Sequence, residues 1–232
     1  MEFMTGEWFG RLFGVLIVNL ILSGDNAVVI AMAARTLEGS NRKKAIIYGA
    51  AGAVVLRLIF AGVITLLLAV PLLQVAGGFL LVWIAWGLIH EDDDEGEDKV
   101  KAGSSTWQAV RIIIVADAVM SLDNVIALVQ AARIGGEVDF MLLVIGLATT
   151  IPLVIFGAAL LTSLLNRFPI LVYAGAGLLV YLAVEMVFAD KVLHPYLEHY
   201  ESIEWIIGLV AAGIFLVVAW LWSRRSSRSG AG

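Results

Sequence analysis

Two short polar stretches interrupt long apolar runs, and their residue types are the ones best suited to chemistry. Ser23-Gly24-Asp25-Asn26 and Ser121-Leu122-Asp123-Asn124 each place a carboxylate beside an amide. A carboxylate at the centre of a membrane helix costs about 2.5–3.5 kcal/mol on insertion scales, so such residues usually face the protein interior and serve a function. Ser, Asp and Asn recur between the two stretches at an offset of 98 residues. We therefore interpret the two stretches as halves of one binding site.

The side chains of this site favour a hard divalent cation. Carboxylate, amide and hydroxyl oxygens suit Mg²⁺, Ca²⁺ or Mn²⁺, and the chain has no cysteine to form a thiolate metal site. Asp25 and Asp123 are the principal expected ligands. The supporting candidates are Asn26, Asn124 and Asp117, and the lesser ones are Ser23, Ser121, Asn19 and Glu185. The alternative is that these polar side chains only hydrogen-bond neighbouring helices together.

Several carboxylates in one water-poor cavity would repel one another if all were ionised. Some of Asp25, Asp117 and Asp123 must then bind protons when the metal is absent, and metal binding would displace those protons. Exchange of the cation for protons is the resulting hypothesis. Arg57 lies within an apolar run and is interpreted as an internal counter-ion, with snorkelling toward the interface as the alternative.

Composition indicates an integral membrane protein. Hydrophobic residues make up 61% of the 232 residues and charged residues 15%, against about 25% charged in soluble proteins, and the mean hydropathy is +0.95. Runs longer than about 20 apolar residues cross the hydrocarbon core as helices, which favours an all-α fold over a β-barrel. No basic face typical of nucleic-acid binding is present. The predicted transmembrane helices cover residues 8–34, 44–70, 71–90, 107–132, 138–165, 168–189 and 203–223.

The repeat extends beyond the polar motifs and predicts the topology. Arg35 matches Arg133 and Pro71 matches Pro169 at the same offset, so residues 1–90 and 107–189 form two three-helix repeats. An odd number of helices inverts the second repeat, and the seventh helix is unpaired. Eleven Lys and Arg fall on one side of the membrane and three on the other, which predicts the N-terminus outside and the C-terminus inside. The remaining segments are an acidic cytoplasmic loop, 91–106, and an outer loop, seventh helix and basic cytoplasmic tail, 190–232.

Four further features leave alternatives open. The acidic run 91–98 is interpreted as a solvated connector or as a collector of cations, and the outer segment with His194 and His199 as a solvated loop or an exit-side metal contact. Gly24 favours local unwinding in the first motif more than in the second, which has Leu122 instead. Met120 and Met186 lie beside candidate ligands, where thioethers either pack or favour a transition metal.

The two motif segments resemble those of a known family. Asn-Leu-Ile-Leu-Ser-Gly-Asp-Asn-Ala at 19–27 and Asp-Ala-Val-Met-Ser-Leu-Asp-Asn-Val at 117–125 are similar to the TerC family of bacterial integral membrane proteins, in particular its short YjbE-type members. The resemblance covers residues 8 to about 222. It implies export of Mn²⁺ across the plasma membrane. The residues that match the family's ion positions are Asp25, Asn26, Asp117, Asp123 and Asn124.

The sequence therefore predicts a secondary transporter that exports divalent cations, with Mn²⁺ as the transported ion and no prosthetic group. The expected partners are the cation and the lipid bilayer. The alternative is a membrane accessory protein that delivers metal to a partner complex, or organises that complex, without net transport. An enzyme is not expected, because no nucleophile-base pair and no His-x-x-Glu arrangement is present.

Overall fold

The structure, a computed structural model, describes residues 6–67, 70–90, 102–134 and 137–229. These residues are almost entirely helical, as predicted. The helices are α1 Gly6–Ile21, α2 Gly24–Ala34, α3 Gly39–Leu67, α4 Leu73–His90, α5 Ala102–Ala131, α6 Phe140–Arg167, α7 Ile170–Ala189, α8 His194–Leu197 and α9 Glu204–Ser229. A 3₁₀ helix, Glu198–Ile203, joins α8 to α9. The acidic segment 91–98 lies outside the described residues, so neither interpretation of it is tested.

The helices form a polytopic membrane protein. Among the described residues, five segments are long and apolar enough to cross a membrane: Gly39–Ile64, Leu73–His90, Phe140–Arg167, Ile170–Ala189 and His194–Ser223. Two further helix pairs pass the same criteria but are bent, α1 with α2 by 47° and the two halves of α5 by 61°. Counted with each bent pair as one span, the total is the seven that the apolar runs predict.

The loop between α5 and α6 carries a small hairpin that sequence reasoning did not predict. Strand β1, Arg133–Ile134, pairs antiparallel with β2, Glu137–Val138. Asp139 then caps α6, because its Oδ1 accepts the backbone N–H groups of Met141 (2.9 Å) and Leu142 (3.2 Å). The Trp8 indole donates to the other carboxylate oxygen of Asp139 at 3.3 Å. The start of α1 is thereby tied to the start of α6.

Proline at position 71 marks the boundary between α3 and α4, as predicted. α3 ends at Leu67 and α4 begins at Leu73. Leu72 adopts a φ of 58°, a left-handed conformation that costs a side-chain-bearing residue about 1–2 kcal/mol. The chain therefore passes from the second predicted span to the third through a tight turn rather than a long loop.

The chain folds into two compact units that cut across the two predicted repeats. Unit 1 contains residues 1–69 and 103–163, and unit 2 contains residues 70–102 and 164–232. Both polar motifs lie in unit 1. In unit 2, α4 and α7 pack closely, because a Cβ on Gly78 would lie 2.7 Å from the Ala183 carbonyl oxygen. α7 and α9 are similarly close, because a Cβ on Gly208 would lie 2.7 Å from Cδ2 of the Tyr181 ring.

Candidate cation-binding site

Both polar motifs lie at bends in unit 1. α1 ends at Ile21 and α2 begins at Gly24, so the first motif coincides with the 47° bend. The second bend, of 61°, lies between Leu122 and Asn124. As expected, unwinding belongs to the first motif, since the helix is interrupted between Ile21 and Gly24, whereas α5 is helical from Ala102 to Ala131. The larger bend at the second motif, which has no glycine, was not expected. Gly24 itself has no positive φ, and a Cβ on it would meet nothing within 4 Å.

The first bend frees the backbone carbonyl of Leu22. In a continuous helix this oxygen would accept the N–H of residue 26, but that N–H donates instead to Asp25 Oδ1 at 2.8 Å. The Leu22 oxygen accepts two side-chain amides, Asn26 Nδ2 at 3.0 Å and Asn124 Nδ2 at 3.2 Å. One amide from each motif thus converges on a single backbone oxygen.

The side-chain oxygen of Asn26, unlike its side-chain nitrogen, has no hydrogen-bond partner among the described residues. Asn26 is 2% exposed, and among the described residues its Oδ1 is a buried atom without a hydrogen bond. Leaving a buried acceptor unpaired costs about 1–3 kcal/mol, and a cation would satisfy it. Asp25, the half-buried neighbour, adds a carboxylate. We call the Leu22 carbonyl, Asp25, Asn26 and Asn124 the Leu22 cluster.

A second group of polar residues surrounds Arg57, which is 4% exposed on α3. Its Nη2 and Nε donate to the two carboxylate oxygens of Asp117 on α5, at 2.5 and 3.1 Å. Nε also donates to Ser121 Oγ at 2.9 Å, and Nη1 donates to Asn19 Oδ1 at 3.4 Å. The structure thus places Arg57 in a buried ion pair rather than at the interface. We call Arg57, Asp117, Ser121 and Asn19 the Arg57 cluster.

Ser23 and Asn19 connect the first motif to these groups. Ser23 Oγ donates to the Asn19 carbonyl at 2.6 Å and lies 3.3 Å from Asn19 Oδ1. Asn19 Nδ2 in turn donates to the Gly146 carbonyl of α6 at 3.4 Å. Ser121 Oγ donates to Asp117 Oδ2 at 3.0 Å. Both motif serines therefore hydrogen-bond to the residue four positions earlier in the chain.

The other predicted ligands are not part of these contacts. The side chain of Asp123 lies outside the described residues. Glu185 belongs to unit 2, where the Tyr181 hydroxyl hydrogen-bonds it and Glu204 is near enough for electrostatic interaction. Among the side chains that the structure describes, no three His, Cys, Asp or Glu residues gather around a common point. The Leu22 cluster contains one such residue, Asp25, and its other members contribute amide and backbone carbonyl groups.

Two open alternatives gain structural context. Met120 and Met186 are both buried in the apolar interior, where thioethers commonly pack. The segment with His194 and His199 is helical rather than an irregular loop, and the half-exposed His194 lies 3.5 Å from Glu201. The described part of this segment thus holds one imidazole-carboxylate contact.

Sequence reasoning missed the Leu22 carbonyl. A backbone oxygen carries no residue-type signal, and Leu22 reads as an ordinary apolar residue. The only available signal was the Ser-Gly pair that follows it, since such a pair commonly accompanies an interrupted helix.

Comparison with known proteins gives a consistent match across the chain. Residues 4–228 match the sequence profile of a family, whose description is "Integral membrane protein TerC family". The uncharacterized membrane protein YjbE of Bacillus subtilis (strain 168) is 39% identical over 216 residues, 93% of this chain and 96% of the relative. YceF of the same organism, also an uncharacterized membrane protein, is 25% identical over 228 residues, 95% of this chain and 85% of the relative.

A longer relative matches only in part. The UPF0053 protein YegH of Escherichia coli (strain K12) is 28% identical over 184 residues, 71% of this chain but 34% of the relative. No solved structure matches the chain.

Proposed function

Because the chain belongs to the TerC family of integral membrane proteins, we propose that it is a secondary transporter that exports hard divalent cations across the bacterial plasma membrane. Mn²⁺ is the proposed cargo, since it is the ion that the family resemblance implies. The observation that carries the proposal is the buried, unpartnered Oδ1 of Asn26 at a helix break. A divalent cation would coordinate this oxygen and so take the place of the missing hydrogen-bond donor.

The Leu22 cluster supports a defined division of roles. The Leu22 carbonyl accepts the Nδ2 groups of Asn26 and Asn124, and this fixes the orientation of both side-chain amides. With their nitrogens held, the amide oxygens are the atoms left to face a ligand. Asp25 supplies a carboxylate beside them, and Asp123 is proposed to supply the second. These four side chains are the proposed ligands of the cargo.

Helix breaks suit this task for a physical reason. A broken membrane helix exposes backbone polar groups that are tolerated only where they face protein or a water-filled cavity. Transporters commonly place substrate sites at such breaks, where inverted repeats meet near the midplane. The two motifs, at an offset of 98 residues, lie at the two breaks. We propose that the repeats are inverted and that the breaks open to opposite sides in turn, with the N-terminus outside and the C-terminus inside.

Proton exchange completes the proposed cycle. Asp25 and Asp123 would carry protons on the return step, because two adjacent carboxylates without a cation repel each other in a water-poor cavity. The cation then leaves the cell in exchange for protons that move inward. Uptake of Mn²⁺ that is indifferent to an imposed pH gradient would overturn this coupling while leaving transport itself intact.

Reconstitution tests the function. The purified chain in liposomes loaded with a manganese-sensitive dye is expected to show Mn²⁺ flux, and Asp25→Asn is expected to abolish it. Glu38→Gln is the matched control, because Glu38 is an exposed carboxylate of the same unit and its loss should leave flux unchanged. Equal flux in Asp25→Asn and wild type would contradict the proposed site.

The same experiment separates transport from an accessory role. An accessory protein would support manganese tolerance in cells but show no flux in liposomes. A wild-type protein that is folded, correctly inserted and inactive in liposomes would therefore favour delivery of metal to a partner complex.

A further inference from the structure

Three of the nine side chains predicted to bind metal turn their oxygens toward a cation that the chain itself carries. Asp117, Ser121 and Asn19 all accept hydrogen bonds from the Arg57 guanidinium. We infer that Arg57 is a built-in cation that occupies this oxygen cluster and confines the transported ion to the Leu22 cluster. The inference rests on the proposed function and divides its predicted ligands into two sets.

The geometry makes the guanidinium a close substitute for a bound ion. Both carboxylate oxygens of Asp117 accept from it, in the two-pronged arrangement that favours arginine over lysine. The Ser121 hydroxyl and the Asn19 amide oxygen complete a set of four oxygens from α1 and α5. These are the oxygen types that a hard divalent cation would take. A cation could enter this set only by displacing the guanidinium.

Burial opposes that displacement. Arg57 and Asp117 are each 4% exposed, so a displaced guanidinium would have to remain charged in apolar surroundings or travel to the membrane surface. A buried charge without a partner is strongly unfavourable. The Leu22 cluster differs, because its Asn26 oxygen has no donor among the described residues. An incoming cation therefore gains a new contact at the Leu22 cluster and must break existing ones at the Arg57 cluster.

Charge balance leads to the same division. The single charge of Arg57 neutralises the single charge of Asp117, which leaves this cluster without net charge. Asp25 and Asp123 then remain as two carboxylates for one divalent cation. Asp25 is near enough to Arg57 and Asp117 for electrostatic interaction with both, so an unpaired Asp117 would add a third negative charge to the region. Arg57 thereby sets the ion capacity of the protein.

Counting bound Mn²⁺ per chain tests the inference. Equilibrium dialysis of the full-length protein in detergent, with radioactive Mn²⁺, is expected to give one ion for wild type and none for Asp25→Asn. Arg57→Gln should bind two ions, because the vacated oxygens accept the second. Arg57→Gln/Asp117→Asn should return to one, and Arg57→Gln/Asp25→Asn should keep only the gained ion.

The outcomes separate this inference from the proposed function. A folded Arg57→Gln protein that binds one ion, like wild type, overturns the inference and leaves the proposed function standing. Wild type that binds no ion overturns the proposed function, while a gain in Arg57→Gln would still identify the Arg57 cluster as a masked oxygen site.

A milder variant keeps the inference testable if Arg57→Gln does not fold. Ser121→Ala removes only one oxygen of the Arg57 cluster, so the Mn²⁺ affinity of the protein should be unchanged. A loss of about tenfold or more, the size seen when support for a metal ligand is removed, would make Ser121 part of the cargo site and overturn the inference.

Discussion

Asn26 and Asn124, which lie 98 residues apart and belong to different polar motifs, donate their side-chain amides to the same backbone oxygen, that of Leu22, at 3.0 and 3.2 Å. The two broken spans therefore share one hydrogen-bond acceptor. Any movement of one break relative to the other changes the environment of that oxygen. The shared oxygen links the two halves of the proposed site, and the coupling free energy between Asn26 and Asn124 can be measured.

Removing these amides should have a more than additive effect. Each single alanine variant leaves Leu22 with one donor and should cost about 0.6 kcal/mol, the average for such bonds in membranes. Asn26→Ala should cost less than Asn124→Ala, because it also removes the unpartnered Oδ1. The double variant removes both amide donors from the part-buried Leu22 carbonyl and should exceed the sum of the singles by about 1 kcal/mol or more. Reversible unfolding in mixed detergent micelles measures the cycle.

A control cycle uses Asn26→Ala with Ser163→Ala. Ser163 is exposed on α6 and donates to the Ala159 carbonyl, so it shares no partner with Asn26. These two effects should add within about 0.5 kcal/mol. Additivity in the asparagine cycle as well would contradict the shared acceptor.

The buried ion pair should be far more sensitive to the loss of one partner than to the loss of both. Arg57→Gln or Asp117→Asn alone leaves an unpaired buried charge and should lower the free energy of unfolding by about 3–5 kcal/mol. The double variant should cost less than either single. Arg57→Lys should fall between wild type and Arg57→Gln, since an ammonium group cannot make the two-pronged contact.

Arg167→Gln is the control for this ion pair. Arg167 is exposed at the end of α6, beside the Phe168 ring, and its replacement should change stability by at most about 0.5 kcal/mol. If the cost of the Arg57→Gln/Asp117→Asn double variant equalled the sum of the two single costs, Arg57 would not be paired with Asp117.

Close packing of α3 against α5 should depend on Gly49. A Cβ at this position would lie 2.7 Å from Ile113 Cδ1, so Gly49→Ala should cost about 1–3 kcal/mol through overpacking. Gly62→Ala on the same helix has nothing within 4 Å and should be neutral or stabilising by up to about 1 kcal/mol. The Gly49→Ala penalty should shrink in an Ile113→Ala background. Equal effects at the two glycines would argue against close helix contact.

The glycine in the first motif should be replaceable. Gly24 has ordinary backbone angles and open space around its Cβ position, so Gly24→Ala should leave the free energy of unfolding unchanged or raise it by up to about 1 kcal/mol. Gly39, at the start of α3, has a φ of +52°, and Gly39→Ala should cost about 1–2 kcal/mol. The melting temperatures of Gly24→Ala and Gly39→Ala are the measurement. A lower value for Gly39→Ala alone would show that the backbone requires glycine at position 39 but not at position 24.

Local patterns in the chain were enough to predict the spans. Runs of apolar residues must satisfy their backbone groups internally, so each run predicts a helix, and Pro71 predicts a boundary that the structure has. Asp25 and Asn26 were recognisable as candidate site residues for the same local reason, since polar side chains in lipid are costly. The small hairpin after α5 was not recognisable, because Arg133–Val138 shows neither alternation nor length.

Partner choice could not be read from local patterns. Nothing near Arg57 in the chain indicates Asp117, which is 60 residues away, and nothing near Leu22 indicates Asn124, which is 102 residues away. The bend at the second motif was likewise hidden, because Leu122 is a good helix former and the bend arises without a glycine.

The sequence by itself determined that this protein is helical, spans the membrane several times and carries two related polar motifs in its apolar runs. Hydropathy and residue type act along the chain, so they are legible there. Only the tertiary structure decided that the polar residues form two groups, one around Arg57 and one around the Leu22 carbonyl. That division depends on which helix faces pack together, and in apolar surroundings each buried donor must find its acceptor across those faces.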